Sequence, residues 1–132
     1  MGPNNAELVR VFTRETNAAI ADTTLPVSAD FDVVVEAKAG SAIHGTGAAF
    51  CTNIVVRDIT ANDDIPPSPA VGFGGAMHTH AWPNVDHQFV YTVPTANLVG
   101  RENHLCQVLA FLRVGITNPY VSFAVSPLFL LI

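Results

Sequence analysis

Charge is what this sequence has least of. Asp, Glu, Lys and Arg together make up 13% of the chain, where an ordinary soluble domain carries about 25%. Lys38 is the single lysine, and the arginines Arg10, Arg14, Arg57, Arg101 and Arg113 are scattered one at a time. With a formal net charge of −5, this pattern excludes a nucleic-acid groove, which needs clustered cations to displace phosphate counterions. It excludes docking on an anionic membrane surface for the same reason.

Long apolar runs are missing too. No segment approaches the roughly 18 to 20 residues that span a bilayer, so no membrane partner is expected. The opening "MGPNNAELVRVF" has no basic start, apolar core or small-residue cleavage site. Ala6 stands where a myristoylation motif needs Ser or Thr. A cytoplasmic protein is expected, with a mature secreted chain as the other reading.

The usual catalytic signatures are also lacking. "GSAIHGTG" and "GFGG" have neither the lysine nor the following helix that would make their glycines a phosphate cradle. There is no serine nucleophile elbow and no Cys-x-x-Cys. Cys51 and Cys106 each sit in an apolar run, which predicts reduced, buried thiols rather than a bridge. His104 shares a strand face with Cys106 but has no third orienting group beside it. No catalytic residue is assigned, and a non-enzymatic protein is expected.

What is present is β pattern. "FDVVVEAKA" from Phe31 puts Phe31, Val33, Val35, Ala37 and Ala39 on one face and Asp32, Val34, Glu36 and Lys38 on the other. "FCTNIVVRDIT" is β-branched, with Thr52, Ile54 and Val56 core-facing and the strand leaving the core at Asp58. "HQFVYTV" alternates again. "HLCQVLAFLRVG" is apolar on both faces, so it is a central strand or one whose second face a partner covers. "AELVRVFTRET" reads as a strand with Val9, Val11 and Thr13 inward, or as a helix capped by Asn5; the strand is the expectation. Residues 61–75, "ANDDIPPSPAVGFGG", form a long loop, because prolines remove donors and glycines remove side chains to pack. "YVSFAVSPLFLLI" ends in five apolar residues that must pair at a sheet edge or dock on a neighbour.

Seven to eight short strands separated by turn signals predict one all-β domain over residues 1–132. Its expected architecture is an antiparallel β-sandwich, immunoglobulin-like or jelly-roll. The separation of Cys51 and Cys106 is similar to that of the inter-sheet cysteines of immunoglobulin domains, and "GRENHLC" resembles the corner before the second of them. Gly100, Glu102 and His104 stand in place of that family's Asp, Gly and Tyr, and Trp82 lies far from Cys51.

One stretch concentrates chemistry: "GGAMHTHAWPNVDHQF", Gly74 to Phe89, holds three of the five histidines and the only tryptophan. His78 and His80, two apart on an extended segment, point to the same side, and His87 follows a turn-like "WPNVD". The Gly72, His78 and His80 spacing resembles the first motif of cupins. That resemblance implies a transition metal (zinc, iron, nickel or copper) held by His78, His80 and His87, with His104 as a possible fourth ligand. The sequence departs from the family where its glutamate ligand should follow, since Trp82, Pro83, Asn84 and Val85 fill that window. Pro94 also replaces an expected glycine, and no second motif surrounds His104. The simpler reading of the histidines is hydrogen-bonded packing at a subunit contact, with no cofactor.

Asn62 to Asp64 with Asp58 could hold calcium, but without EF-hand spacing they read as a solvated acidic loop. Phe73, Trp82 and Tyr91 are the candidate binding aromatics; Trp82 and Tyr91 would be the stacking platforms if the ligand were a carbohydrate. No motif names a small-molecule ligand.

Scarce charge, a single lysine and strands apolar on both sides match the composition of homo-oligomer interfaces. The expected function is therefore a self-assembling or partner-binding β-sandwich module. The alternative is a small cupin-like metalloprotein.

Overall fold

A computed structural model describes residues 6–39, 50–67, 86–114 and 120–132. Among them the chain is all-β apart from one 3-10 turn, Thr95–Asn97. In chain order the strands are β1 (Ala6–Glu15), β2 (Thr24–Leu25), β3 (Phe31–Ala39), β4 (Phe50–Asp58), β5 (Asp63–Asp64), β6 (Asp86–Val93), β7 (Leu105–Val114), β8 (Tyr120–Val125) and β9 (Phe129–Leu131). They form two sheets. Sheet A has the order β1-β3-β6, and sheet B the order β2-β9-β7-β4-β5 with β8 also on β7.

Each strand follows from its residue pattern. β3 buries Phe31, Val33, Val35 and Ala37, as alternation requires. Its other face is covered in part too: Asp32 and Val34 are buried as well. β3 is the middle strand of sheet A, so Phe12 and Val90 flank Val34 in register, and Arg14 Nε reaches Asp32 Oδ2 at 3.2 Å.

β1 is a strand, not a helix. Val11 and Thr13 point inward, but Val9 is exposed. The pairing with β3 slips between Leu8 and Arg10. One extra residue reverses the face of everything before it, so Leu8 packs on the core in place of Val9.

β7 is the axis of sheet B. It pairs with β4 along nine residues on one side and with β8 and then β9 on the other. The join between β8 and β9 is irregular because Pro127 has no N–H to give to the ladder. Ser126 repairs it: its N–H donates to the Val108 carbonyl at 2.9 Å, and its Oγ accepts the Val108 N–H at 2.9 Å.

The expectation of an antiparallel arrangement needs one correction. β2 and β9 run parallel, with Thr24 opposite Leu130 and Leu25 opposite Leu131. β2 is no hairpin partner but a two-residue touch-down in the connection from β1 to β3. The direction of that connection is set by its ends, and it makes sheet B mixed. The apolar tail is consequently paired on both sides: Ile132 N–H donates to Leu25 O, and Leu130 N–H to Thr23 O. Phe129 and Leu131 are buried; Leu128, Leu130 and Ile132 face out.

The described part of the expected 61–75 loop is not all loop. Asp63 and Asp64 pair with β4 as β5, and Ile65 is buried in the core. A hairpin turn with Asn62 at φ +58°, a conformation that asparagine tolerates, brings the chain back onto β4.

The buried faces of both sheets supply one cluster. Sheet A gives Val11, Phe31, Val33, Val35, Tyr91 and Val93, and sheet B gives Ile54, Val56, Val108, Ala110, Phe129 and Leu131. Phe31 and Phe129 meet edge to face across it, ring centroids 5.5 Å apart.

Candidate functional site

Phe73, His78, His80 and Trp82 lie outside the described residues. The backbone of His87 sits on β6 opposite Ala37, at the far end of that strand from the turn that leads to His104. The seven strand residues from His87 to Val93 span about 20 Å, so the fold does not bring His87 and His104 together. Tyr91 is buried in the core. Its hydroxyl exchanges a hydrogen bond with Thr52 Oγ1 and donates to Thr52 O at 3.2 Å, tying sheet A to sheet B. A ring so placed offers no face for stacking a sugar. Burial pushes the Tyr91 hydroxyl pKa up, with the Thr52 hydrogen bond opposing.

His104 belongs to a different constellation, whose centre is Asp58. The carboxylate ends β4 on the core-facing side and is fully buried, where departure from the core was expected. The reason is its partners. Ala61 N–H donates to Oδ1 at 2.9 Å, closing the β4–β5 turn. Arg101 Nη1 and His104 Nδ1 both lie 2.7 Å from Oδ2. Because an ionised carboxylate only accepts, the His104 ring donates from Nδ1.

Two tight turns place these donors. Gly100 at φ +78° lets the chain reverse after the 3-10 turn, and Arg101 Nε then holds the Asn97 carbonyl at 3.0 Å. Arg101 also grips Asp63 Oδ1 at 2.6 Å. Burial alone would raise the Asp58 pKa, but the bonds from Ala61, His104 and Arg101 outweigh it and hold the carboxyl below its ordinary value. The Asp63 bond leads in raising the Arg101 guanidinium pKa above its ordinary value.

Next to this cluster lies Cys106, its Sγ 3.8 Å from the His104 carbonyl oxygen. Burial, with the Asp58 charge adding to it, pushes the thiol to about 12, so it stays protonated and is no nucleophile at neutral pH. Among the described residues, no three His, Cys, Asp or Glu side chains are grouped to hold a metal. The cluster's chemistry is that of a fastener, joining the β4–β5 turn to the entrance of β7.

Cys51 and Cys106 are both buried. Cys51 lies opposite Arg113 and Cys106 opposite Asp58 on the neighbouring strands β4 and β7. Seven residues of β4, about 23 Å, separate the two levels, whereas a bridge needs Cα atoms within about 7 Å. The likeness to an inter-sheet cysteine pair therefore fails: both thiols are in one sheet, at opposite ends.

The outer faces of the two sheets are unlike. On sheet A, Arg10, Glu36 and Gln88 form one cross-strand row and Arg14, Asp32 and Thr92 another. Gln88 donates to Glu36 at 3.0 Å, and Thr92 to Asp32 at 3.2 Å. The apolar row between them is roofed by Arg10, 4.2 Å above the Phe12 ring. On sheet B the rows include Val55–Leu109–Val125, Asn53–Phe111–Phe123 and Leu105–Leu130, flanked by Cys51–Arg113–Val121 and Arg57–Gln107. Val121, Phe123 and Val125 of β8 are 60%, 54% and 48% exposed. The Phe111 and Phe123 ring centroids are 5.0 Å apart.

Sequence reasoning singled out β7 as apolar on both sides but missed β8, whose outward Val121, Phe123 and Val125 were readable from alternation. It missed the Asp58 cluster as well. The signal available was an acid at a core-parity position, with an arginine and a histidine flanking a later turn. Compared with known proteins, the chain matches no family model, no curated protein and no solved structure.

Proposed function

We propose that this chain is a non-enzymatic, immunoglobulin-like β-sandwich module that works by protein contact, self-assembling or binding a partner through the outer face of sheet B. Strand order supports the architecture, since β1-β3-β6 against β8-β7-β4-β5 follows the A-B-E and G-F-C arrangement of that fold. The observation that carries the functional reading is the exposed run Val121, Phe123, Val125 beside Leu105 and Leu130. Soluble monomers rarely leave so continuous an apolar strip in water. The described polar cluster around Asp58 is spent on fastening turns.

The test is binding of an apolar-patch fluorescent dye to the full chain. The expected result is association of the full chain with itself or another protein or, where it stands alone, dye binding, either of them lost in the variant Phe123→Asp. A wild-type chain that neither binds dye nor associates with any protein overturns the reading. Stoichiometric retention of zinc, iron, nickel or copper, lost on replacing His78 and His80, would favour the histidine segment as a metal centre instead.

A further inference from the structure

We infer that the occupant of the outer face of sheet B is a second copy of this chain, docked face to face about a two-fold axis with Phe123 of each copy near the centre. This rests on the reading of that face as a contact surface and adds the identity of the partner.

Charge placement is the first argument. The chain carries 11 carboxylates against a net charge of −5, so two copies repel unless they meet where acid is absent. Glu7, Glu15, Asp22, Asp30, Asp32, Glu36 and Asp86 belong to sheet A strands and their connections. Asp63, Asp64 and Glu102 lie at the turn end of sheet B. No carboxylate lies on β7, β8 or β9, and Asp58 on β4 is turned inward and fully buried. An acidic molecule with one acid-free apolar face is complementary to itself there. The cations on that face are Arg113, beside Val121, and Arg57, which Asp64 pairs at 2.9 Å, so a second acidic copy meets no carboxylate there to repel it.

The second argument is that the edges of sheet B are partly occupied. β1 runs along β8, with Leu8 N–H donating to Ser122 Oγ at 3.1 Å. β2 covers β9, and β5 covers the turn end of β4. Strand addition, the other common way for β proteins to associate, is hindered at those covered stretches, while Val121, Phe123 and Val125 stay exposed on the face.

Size is the third. Val121, Phe123 and Val125 with Leu105, Leu128, Leu130 and Ile132 leave on the order of 600 Å² of apolar surface in water, the upper end of what monomers expose. A specific interface takes roughly 600 to 1,000 Å² from each partner, a range this strip enters with the partly exposed Asn53 and Gln107 around it. Two such faces pack about 10 Å apart, as the layers of a β-sandwich do. A closed two-fold contact uses the same patch on both copies and stops at two.

The experiment measures the mass of the full chain by light scattering at micromolar concentration. Wild type and Val90→Asp, a control on the outer face of sheet A, are expected at twice the 14.0 kDa chain mass. Phe123→Asp is expected at the chain mass, with its circular dichroism unchanged and its dimer dissociation constant raised about 100-fold, as for loss of a central aromatic anchor. Should Phe123→Asp fold poorly, Val121→Lys probes the same face from a more exposed position.

A wild-type monomer whose dye binding is abolished by Phe123→Asp overturns the second copy as occupant and leaves the contact surface standing. A monomer that binds no dye overturns both. A dimer untouched by either substitution places the interface elsewhere and overturns the inference.

Discussion

Asp58 shows how one side chain can organise a whole end of a β protein. A buried carboxylate is tolerated only when its charge is matched and its lone pairs are used, and here three donors do both. Removing the charge leaves Arg101 and His104 facing an amide that cannot replace it. Asp58→Asn is expected to cost about 3 kcal/mol, read as a lower urea midpoint with little change of slope. The pH dependence has a definite sign. Because the folded-state carboxyl is held below its ordinary value, Asp58 contributes stability that is fully present above about pH 4 and lost as pH falls further through its folded value. Wild type should therefore lose stability on acidification below about pH 4, and Asp58→Asn should show a shallower loss over the same window. None of this was evident in "FCTNIVVRDIT", because alternation assigns a face and says nothing of partners 43 and 46 residues away. Tyr91 is a similar case. As a tyrosine in an alternating strand it fits a binding platform or a core bridge equally well, and only the position of Thr52 on the facing sheet decides.

At the scale of elements, periodicity located the long strands well, since β1, β3, β4, β6 and β7 each have alternating or doubly apolar residues. Where reading by twos broke down, a ladder irregularity or a short edge strand was the cause. Val9 is outside because of the slip beside it. β5 is only two residues and two prolines follow one residue after it, so "NDDIPP" looked wholly like loop. The parallel β2–β9 pair left no local trace at all, being a contact between distant parts of the chain. The irregular junction at Ser126 makes a prediction at this scale. Ser126→Ala removes the acceptor for the buried Val108 N–H and should cost about 1 to 3 kcal/mol, measured by thermal or urea unfolding. Ser126→Thr, which keeps the hydroxyl, should recover part of it.

For the whole molecule, the decisive contrast is between two outer faces built on the same backbone pattern. On sheet A, Arg14 and Thr92 answer Asp32 and Gln88 answers Glu36 across the strands; sheet B shows valine, leucine and phenylalanine in its middle rows. The composition anticipated such a division, because a chain this poor in ionic groups cannot clothe both faces in charge. It could not say which strands would be left bare, as that depends on which sheet β8 joins. The histidine-rich stretch, the most conspicuous feature of the sequence, falls mostly outside the described residues.

The placement of the two thiols has its own outcome for the molecule's life in different surroundings. Each is buried, roughly a strand length from the other, and Cys106 is far too weak an acid to exchange readily. Neither should react with a disulfide reagent until the chain unfolds, and the melting temperature should be the same with and without dithiothreitol. With no covalent clasp to gain or lose, such a chain would carry its stability unaltered across a redox boundary.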